Sequence, residues 1–474
     1  MKFAWQSLLP EIRNIILKEL AHDDATAIYA SVCKEWRVFF GKRNFSHLKI
    51  PPSDLDFLEQ LSEESTRQVD HIWLNVELKR YSCRICRRIE TPTWCHSNDR
   101  IISEALVKLF SVLARWGHNQ HLTLELNAYS PSDSEHWFKE CYFGAPGEEK
   151  FDVVPKSRDF HDPQHGWQYG DLVEPPTDRA LVRPFALPMA AEFERDEQQL
   201  PIVKAVTKFV LRRQCRRQLN PSTLSQLWCR LPRLEEIFFE PWQLFYGGVQ
   251  DTWDQLYEEM IYWGVLRSVK KVTIFEDFNE NYLDTFWYSP GYLWDAPARV
   301  RATNSKVGAA FAGRSRGLEH LSVGFLTDAY HFFKACQPDW QWDQLQSLCL
   351  TSRLMSKTTP NETNQLLASA AQTVPRMPKL ETLTLWNGAR GEACSFTYCR
   401  QYGSIIWRGT WDLRLKKSTL DAWQSISRVE THLIKDAIRS HGDAIKCLGL
   451  DSVIDAVSLK QIVAENSQDF FKRS

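Results

Sequence analysis

The stretch "LQSLCLTSRLMSKTTPNETNQLLASAAQTVPRMPKLETLTL", residues 345–385, decides the fold. It opens on Leu345, Leu348 and Leu350 and closes on Leu380, Leu383 and Leu385, one apolar triplet repeated on either side of a helix-like run. In each triplet the last two apolar positions alternate with polar ones, as a strand with one buried face requires. The intervening "NQLLASAAQTVPRMPK" reads as a helix. Two strands joined through a helix pair in parallel, because a tight hairpin is not available to them.

The same template recurs outward from this stretch. It appears at Val69/Ile72/Leu74, Val206/Phe209/Leu211, Leu234/Ile237/Phe239, Val269/Val272/Ile274, Leu318/Leu321/Val323 and Ile445/Leu448/Leu450, with "HLTLEL" at 121–126 as a partial instance. Helix-like segments precede several of these: "STLSQLWCRLPR", "DQLYEEMIYWGVLRS" and "THLIKDAIRSHGDA". A helix and a short strand, repeated, resemble the unit of a leucine-rich-repeat solenoid. The triplet starts are spaced 28, 35, 49, 27, 35 and 65 residues from Val206 onward, and the Asn usual after the last Leu is missing. The expected fold class is therefore α/β: an irregular leucine-rich-repeat-like array over residues 49–474 with a mostly parallel sheet. An ordinary α/β fold whose strands match the template by chance is the alternative, and it too has a parallel sheet.

Residues 129–200 break the pattern. Pro131, Pro146, Pro155, Pro163, Pro175, Pro176, Pro184 and Pro188 fall there with little periodicity, which marks a Pro/Gly-rich excursion. Its phrase "FDVVPKSRDFHDPQHGWQYGD" is aromatic enough to pack against the array. Two further stretches, "EDFNENYLDTFWYSPGYLWDAPARVRATNS" and "NGARGEACSFTYCRQYGSIIWRGTWDL", read as irregular insertions that lengthen the two widest gaps.

Length and composition bound the function. A chain of 474 residues with 43% hydrophobic and 25% charged residues is globular and long for one compact core, so either two to three domains or one elongated array is expected. Lys+Arg is 58 against Asp+Glu 59, so no net field recruits nucleic acid or an anionic membrane. No apolar run is long enough to span a bilayer, and "MKFAWQSLLPEIRN" carries no secretory signal, so no membrane or export is expected. The 12 cysteines are then reduced thiols in the cytoplasm or nucleus.

The N-terminus is organised differently from the array. In "SLLPEIRNIILKELAHDDATAIYASVCKEWRVFF", residues 7–40, Leu8, Leu9, Ile12, Ile15, Ile16 and Leu20 fall at helical spacing. Pro10 suits the first helical turn, Glu11 complements its dipole, and Asp23 and Asp24 are candidate caps for a second helix. Periodicity alone makes this a helical cap on the body that follows. The residue identities add a second reading. Leu9, Pro10, Glu11, Ile12, Ile16, Leu20, Val32, Cys33, Lys34 and Trp36 match the two blocks of the F-box motif at their mutual spacing, so residues 7 to about 48 resemble an F-box. "HIWLNVELKRYSC" and "LELNAYSPSDSEHWF" are likewise similar to segments of fungal F-box proteins. The resemblance implies a three-helix F-box-like domain over residues 1–48. It also implies docking onto the small Skp-type adaptor of a cullin ubiquitin ligase through Leu9, Pro10, Ile12, Ile16, Leu20, Val32 and Trp36.

No catalytic constellation stands out. The chain has no G-x-S-x-G elbow, P-loop, dinucleotide glycine fingerprint or H-E-x-x-H helix, and no enzyme and no cofactor are expected. The candidate metal set is Cys83, Cys86, Cys95 and His96 in "CRICRRIETPTWCH", with Cys141 as a possible substitute; otherwise these are free thiols and the chain holds no metal. His161 and His165 read as loop residues, since Pro163 forbids the helix that would align them. "SPSDSEHW" brings Ser, Asp, Glu and His together without an oxyanion site. The basic runs "VLRRQCRRQL" and "KRYSCRICRR" read as solvated faces rather than nucleic-acid sites.

In an array, side chains alternating with the buried ones line the concave face. They come from Lys208, Arg212, Glu236, Phe238, Glu240, Lys271, Thr273, Phe275, His320, Ser322, Thr382, Thr384 and Trp386. Mixed charge with aromatics suits protein recognition, so Phe238, Glu240, Lys271, Phe275, His320 and Trp386 are the expected target contacts. The function expected is the substrate-recognition subunit of an SCF-type E3 ligase, with an unidentified target protein on the body. The alternative is a stand-alone interaction scaffold capped by its N-terminal helices.

Overall fold

The computed structural model describes residues 5–21, 26–117, 121–139, 161–169, 171–185, 189–191, 193, 200–213, 215–244, 250–276, 303–389, 392–426 and 433–437. Among them one sheet of twelve strands organises the molecule. In chain order the strands are β1 (His47–Ile50), β2 (His71–Glu77), β3 (Leu122–Tyr129), β4 (Trp167–Gln168), β5 (Asp171–Leu172), β6 (Val206–Leu211) and β7 (Glu236–Phe239). They continue as β8 (Lys271–Phe275), β9 (His320–Gly324), β10 (Ser347–Thr351), β11 (Thr382–Ala389), β12 (Glu392–Cys399), β13 (Ser404–Gly409) and β14 (Leu433–Ala437). Apart from β4 and β5, which form their own antiparallel ribbon, each strand lies beside its sequence neighbour across the sheet. All pairs are parallel except β11–β12 and β12–β13.

The apolar triplets become two rows of the core. One row places Ile72, Leu124, Phe209, Ile237, Val272, Leu321, Leu348 and Leu383 side by side. The second runs through Phe239, Ile274, Val323, Leu350 and Leu385. Every one of these side chains is buried. Behind them pack helices Pro92–Leu113, Pro221–Cys229, Ser305–Arg314 and Pro360–Thr373, so one continuous hydrophobic core runs along the array. Their starts are set locally: proline occupies the first turn of three of the four, and Thr91, Asn220 and Asn304 cap free backbone N–H groups.

Three expectations need correction. The basic run "VLRRQCRRQL" is not a solvated face: Arg212, Arg213, Arg216 and Arg217 are all buried. "NGARGEACSFTYCRQYGSIIWRGTWDL" is not irregular. It forms β12, β13 and the turn between them, with Cys394, Phe396, Tyr398, Ile405 and Trp407 all buried. The start of "THLIKDAIRSHGDA", read as a helix, is instead strand β14, which satisfies the outer backbone groups of β13 by pairing Leu433 with Ile405. The Ile445/Leu448/Leu450 triplet lies outside the described residues, as do 277–302 and residues 140–160 of the excursion.

The described parts of the excursion are tied down by a buried charge network. The Arg217 guanidinium donates to Asp133 Oδ1 at 2.9 Å and Oδ2 at 3.2 Å, to Glu90 Oε1 at 2.7 Å and to the Arg183 carbonyl at 3.0 Å. Arg183 in turn donates to the carbonyls of Arg88 (2.6 Å) and Ile85 (3.0 Å), and its guanidinium lies over the Tyr81 ring. Tyr81 donates its hydroxyl to Asp133 at 2.9 Å. Two guanidiniums against two carboxylates leave the cluster neutral, which is what allows it to be buried. Burial alone would lower the Arg217 pKa, but Asp133 and Glu90 outweigh it and raise it.

Candidate partner-docking surface

Residues 5–46 build a small unit with its own interior. Helix Pro10–Leu20 starts on Pro10, with Glu11 in its first turn. After the short helix Thr26–Tyr29, helix Lys34–Ser46 begins behind Cys33. Leu17, Ala21 and Phe40 are buried between them, with Trp5, Leu20, Tyr29, Trp36 and Phe39 packed around. Trp36 is the hub: its ring lies 5.1 Å from Trp5, 5.9 Å from Tyr29 and 5.7 Å from Phe40. Glu35 Oε2 clasps the unit from outside, accepting from Trp5 Nε1 at 2.8 Å and Arg13 Nη1 at 2.7 Å.

This interior uses only half of the apolar positions. Leu9 is 67% exposed, Ile12 43%, Ile15 55%, Ile28 69%, Val32 58% and Val38 63%. Leu9, Ile12 and Ile15, three residues apart, run down one side of the first helix. Beside them lies an open groove of about 990 Å³, lined by Pro10, Arg13, Leu17, Cys33, Lys34 and Val38 among others. Single exposed aliphatics are ordinary on a protein surface; here six fall within one small unit. Of the residues expected at the adaptor contact, Leu9, Pro10, Ile12 and Val32 are exposed, and Ile16 is half-buried. Leu20 and Trp36 are half-buried and pack against the unit's own core. Ile15 belonged to the apolar stripe read from the sequence but was not named as a contact, and Ile28 and Val38 were not named as contacts either. Asp23 and Asp24 lie outside the described residues.

The unit is joined to the body without a linker. Helix Lys34–Ser46 runs straight into β1, the Ser46 carbonyl accepts from Asp70 N at 3.0 Å, and Phe45 stacks on Phe57. Phe45 and Leu48 join the main core. No helix among the described residues is long and apolar enough to cross a membrane.

The expected target-binding face is largely closed. Glu240, Phe275 and Trp386 are buried, and Phe238 is 8% exposed. The cause is packing across strands. Phe275 and Trp386 stack in parallel planes with Phe325 against both, and the gap between them is opened by Gly324, where a Cβ would meet the Phe275 ring at 2.8 Å. Glu240 accepts from the Arg213 backbone, and Arg212, also expected on this face, donates Nε to Glu125 at 2.6 Å inside the body. Lys271 is exposed and His320 half-buried, its pKa lowered by burial and by Lys271. The accessible part of the face runs from the strand starts, Lys208 (paired to Glu236 at 2.7 Å), Lys271, His320 and Thr382, to the half-buried Thr273, Ser322 and Thr384.

The candidate metal set is not brought together. Cys95 and His96 lie on helix Pro92–Leu113, where His96 is exposed and burial beside Glu90 and Asp99 pushes the Cys95 thiol up to about 11. Cys83 instead meets His165 and His136, which sequence reasoning left as a loop residue and part of an unassembled polar cluster, and Cys86 approaches His165. No spacing rule could pair them, since the three segments meet only through the sheet. Cys141 lies outside the described residues.

A model for a family of unknown function (DUF6546) matches residues 265–455, the part of the body from just before β8 onward, and does not reach the N-terminal unit. No curated protein matches the chain. The 265–455 stretch of this chain is therefore similar to a family of unknown function.

Proposed function

We propose that the chain is the non-catalytic substrate receptor of a cullin-based, SCF-type E3 ubiquitin ligase. Its N-terminal unit would dock onto a Skp-type adaptor, and its body would hold a target protein. The observation that carries the reading is the divided apolar stripe, with Leu17 and Phe40 closing a private core while Leu9, Ile12, Ile15, Ile28, Val32 and Val38 stay exposed. Fully burying one such side chain contributes about 1.5–3 kcal/mol. Covering the exposed part of these six would add on the order of 5–11 kcal/mol before the costs of association. A scaffold that used the helices only as a cap would have turned this stripe onto the body.

The body suits the second half of the role. We read its consecutive parallel strands with helical returns as an irregular leucine-rich-repeat-like array, an architecture that offers an extended face to a partner. In this reading the target would contact the strand starts around Lys271 and His320 rather than the buried aromatics. The mechanism is proximity: because helix Lys34–Ser46 continues directly into β1, adaptor and target would be held at a fixed separation. Affinity purification of the full chain tests this. Co-recovery of adaptor and cullin supports the reading, and their absence from the wild-type chain overturns it.

A further inference from the structure

Three potential metal ligands from separate segments, Cys83, His136 and His165, converge at the C-terminal ends of β2 and β3, and Cys86 lies beside His165. Cys83 and Cys86 sit on the 3-10 turn Cys83–Ile85 and the residue after it, His136 follows helix Pro131–Glu135, and His165 ends the turn Pro163–His165. The His165 Nε2 lies 3.3 Å from Cys83 Sγ and 3.6 Å from Cys86 Sγ. Ligand atoms of Cys83, His136 and His165 are all within 4.8 Å of one another. The site is sheltered: Cys86, His136 and His165 are buried and Cys83 half-buried.

Both imidazoles are held in the tautomer a metal needs. His136 Nδ1 is 2.7 Å from the Ser132 carbonyl, and His165 Nδ1 is 2.7 Å from Asp162 Oδ2. Each acceptor requires a proton on Nδ1, which leaves the lone pair on Nε2. The Asp162 carboxylate behind His165 is the carboxylate–histidine pairing that orients metal ligands, and Lys139 holds it at 2.9 Å. Tetrahedral zinc, with Zn–S about 2.3 Å and Zn–N about 2.0–2.1 Å, sets its ligand atoms roughly 3.3–3.8 Å apart. The two sulfur–nitrogen separations fall in that range.

We propose that Cys83, Cys86, His136 and His165 form a structural zinc site. Two thiolates and two neutral imidazoles neutralise the dication, so the bound site can stay buried. Each metal ion bound displaces the two thiol protons to solvent, and no bond is oxidised or reduced. The site would staple the segment after β2 to the segment after β3 and to the β4–β5 ribbon.

The test uses the full chain. Elemental analysis of the purified protein is expected to give one zinc per chain. After removal of the metal, cobalt(II) alone is titrated back. The expected product shows the intense visible bands of tetrahedral cobalt with a thiolate charge-transfer band, and two protons are released per cobalt. Cys83→Ser and Cys86→Ser should each lower the charge-transfer intensity to about half, while Cys95→Ser and His96→Ala leave it unchanged. Asp162→Asn, which loses no ligand, should weaken zinc binding about 10–100-fold and keep the tetrahedral spectrum. Wild-type chain that holds no zinc and gives no tetrahedral cobalt spectrum overturns the proposal. So does a spectrum lost with Cys95 or His96 but not with Cys83. The cobalt titration of the wild-type chain stands even where a variant fails to fold.

Discussion

Replacing Arg217 by Met tests the account of how the excursion is fixed. Arg217 is 3% exposed and makes three charge-assisted hydrogen bonds to Asp133 and Glu90, plus one to the Arg183 carbonyl. Charge-assisted bonds contribute about 1.5–3 kcal/mol each, which would sum to roughly 4.5–9 kcal/mol if nothing compensated. Compensation is present: Asp133 keeps the Tyr81 hydroxyl, while Glu90 keeps Asn98 at 3.3 Å and Arg183 at 3.5 Å. The expected cost is therefore near the value for breaking a buried pair, about 3–5 kcal/mol. Arg217→Lys keeps the charge but not the two-pronged grip on Asp133, and should cost less than Arg217→Met. The control is Arg67→Met, which breaks a pair to Glu63 whose side chains are 68% and 79% exposed and should cost less than about 0.5 kcal/mol. Urea denaturation of the four proteins reads these differences as midpoint shifts. A cost below about 1 kcal/mol for Arg217→Met would refute the reasoning, since it would mean that the buried carboxylates find other partners.

Two further outcomes follow from the packing of the body. Gly324→Ala places a Cβ at 2.8 Å from the buried Phe275 ring and should cost about 1–3 kcal/mol; combined with Phe275→Leu, the loss should be smaller than the two single losses added, as read by thermal denaturation. Burial raises the Glu276 carboxyl well above its ordinary 4.5, so its contribution to stability is fully present below about pH 4.5 and is lost as the pH rises through the higher folded-state value. Glu276→Gln should accordingly stabilise the protein at pH 8 relative to wild type and flatten the stability–pH curve above pH 4.5, measured by urea midpoints across that range.

The strand array was legible because its signal is local. Pairs such as Leu348/Leu350 and Leu383/Leu385 carry the period of two, and a helix between them leaves parallel pairing as the simple solution. The aromatic closure of the other face was not legible. Phe275 and Trp386 occupy outward positions by the same alternation, yet they close on each other across Gly324 and two intervening strands, a contact that no local period encodes. Strands β12 and β13 were hidden by turn residues and by their departure from the helix–strand pattern, although Cys394, Phe396 and Tyr398 alternate cleanly. In the N-terminal unit, helical spacing identified an apolar stripe but not its division. Leu17 turns inward while Ile12 and Ile15 face out, because the third helix approaches from one side only. The Cys83–His136–His165 cluster needed the sheet itself, which brings the segments after β2 and β3 together.

The most direct measurement is calorimetric titration of the purified full chain with a purified Skp-type adaptor, for wild type and for Leu9→Ala/Ile12→Ala/Ile15→Ala. With exposures of 67%, 43% and 55%, the three side chains offer about 2.5–5 kcal/mol of further burial. The account predicts a one-to-one complex for wild type, affinity roughly 50-fold or more weaker for the triple variant, and unchanged thermal stability for the chain alone. Absence of binding by the wild-type chain, or equal affinity of the two proteins, would contradict it.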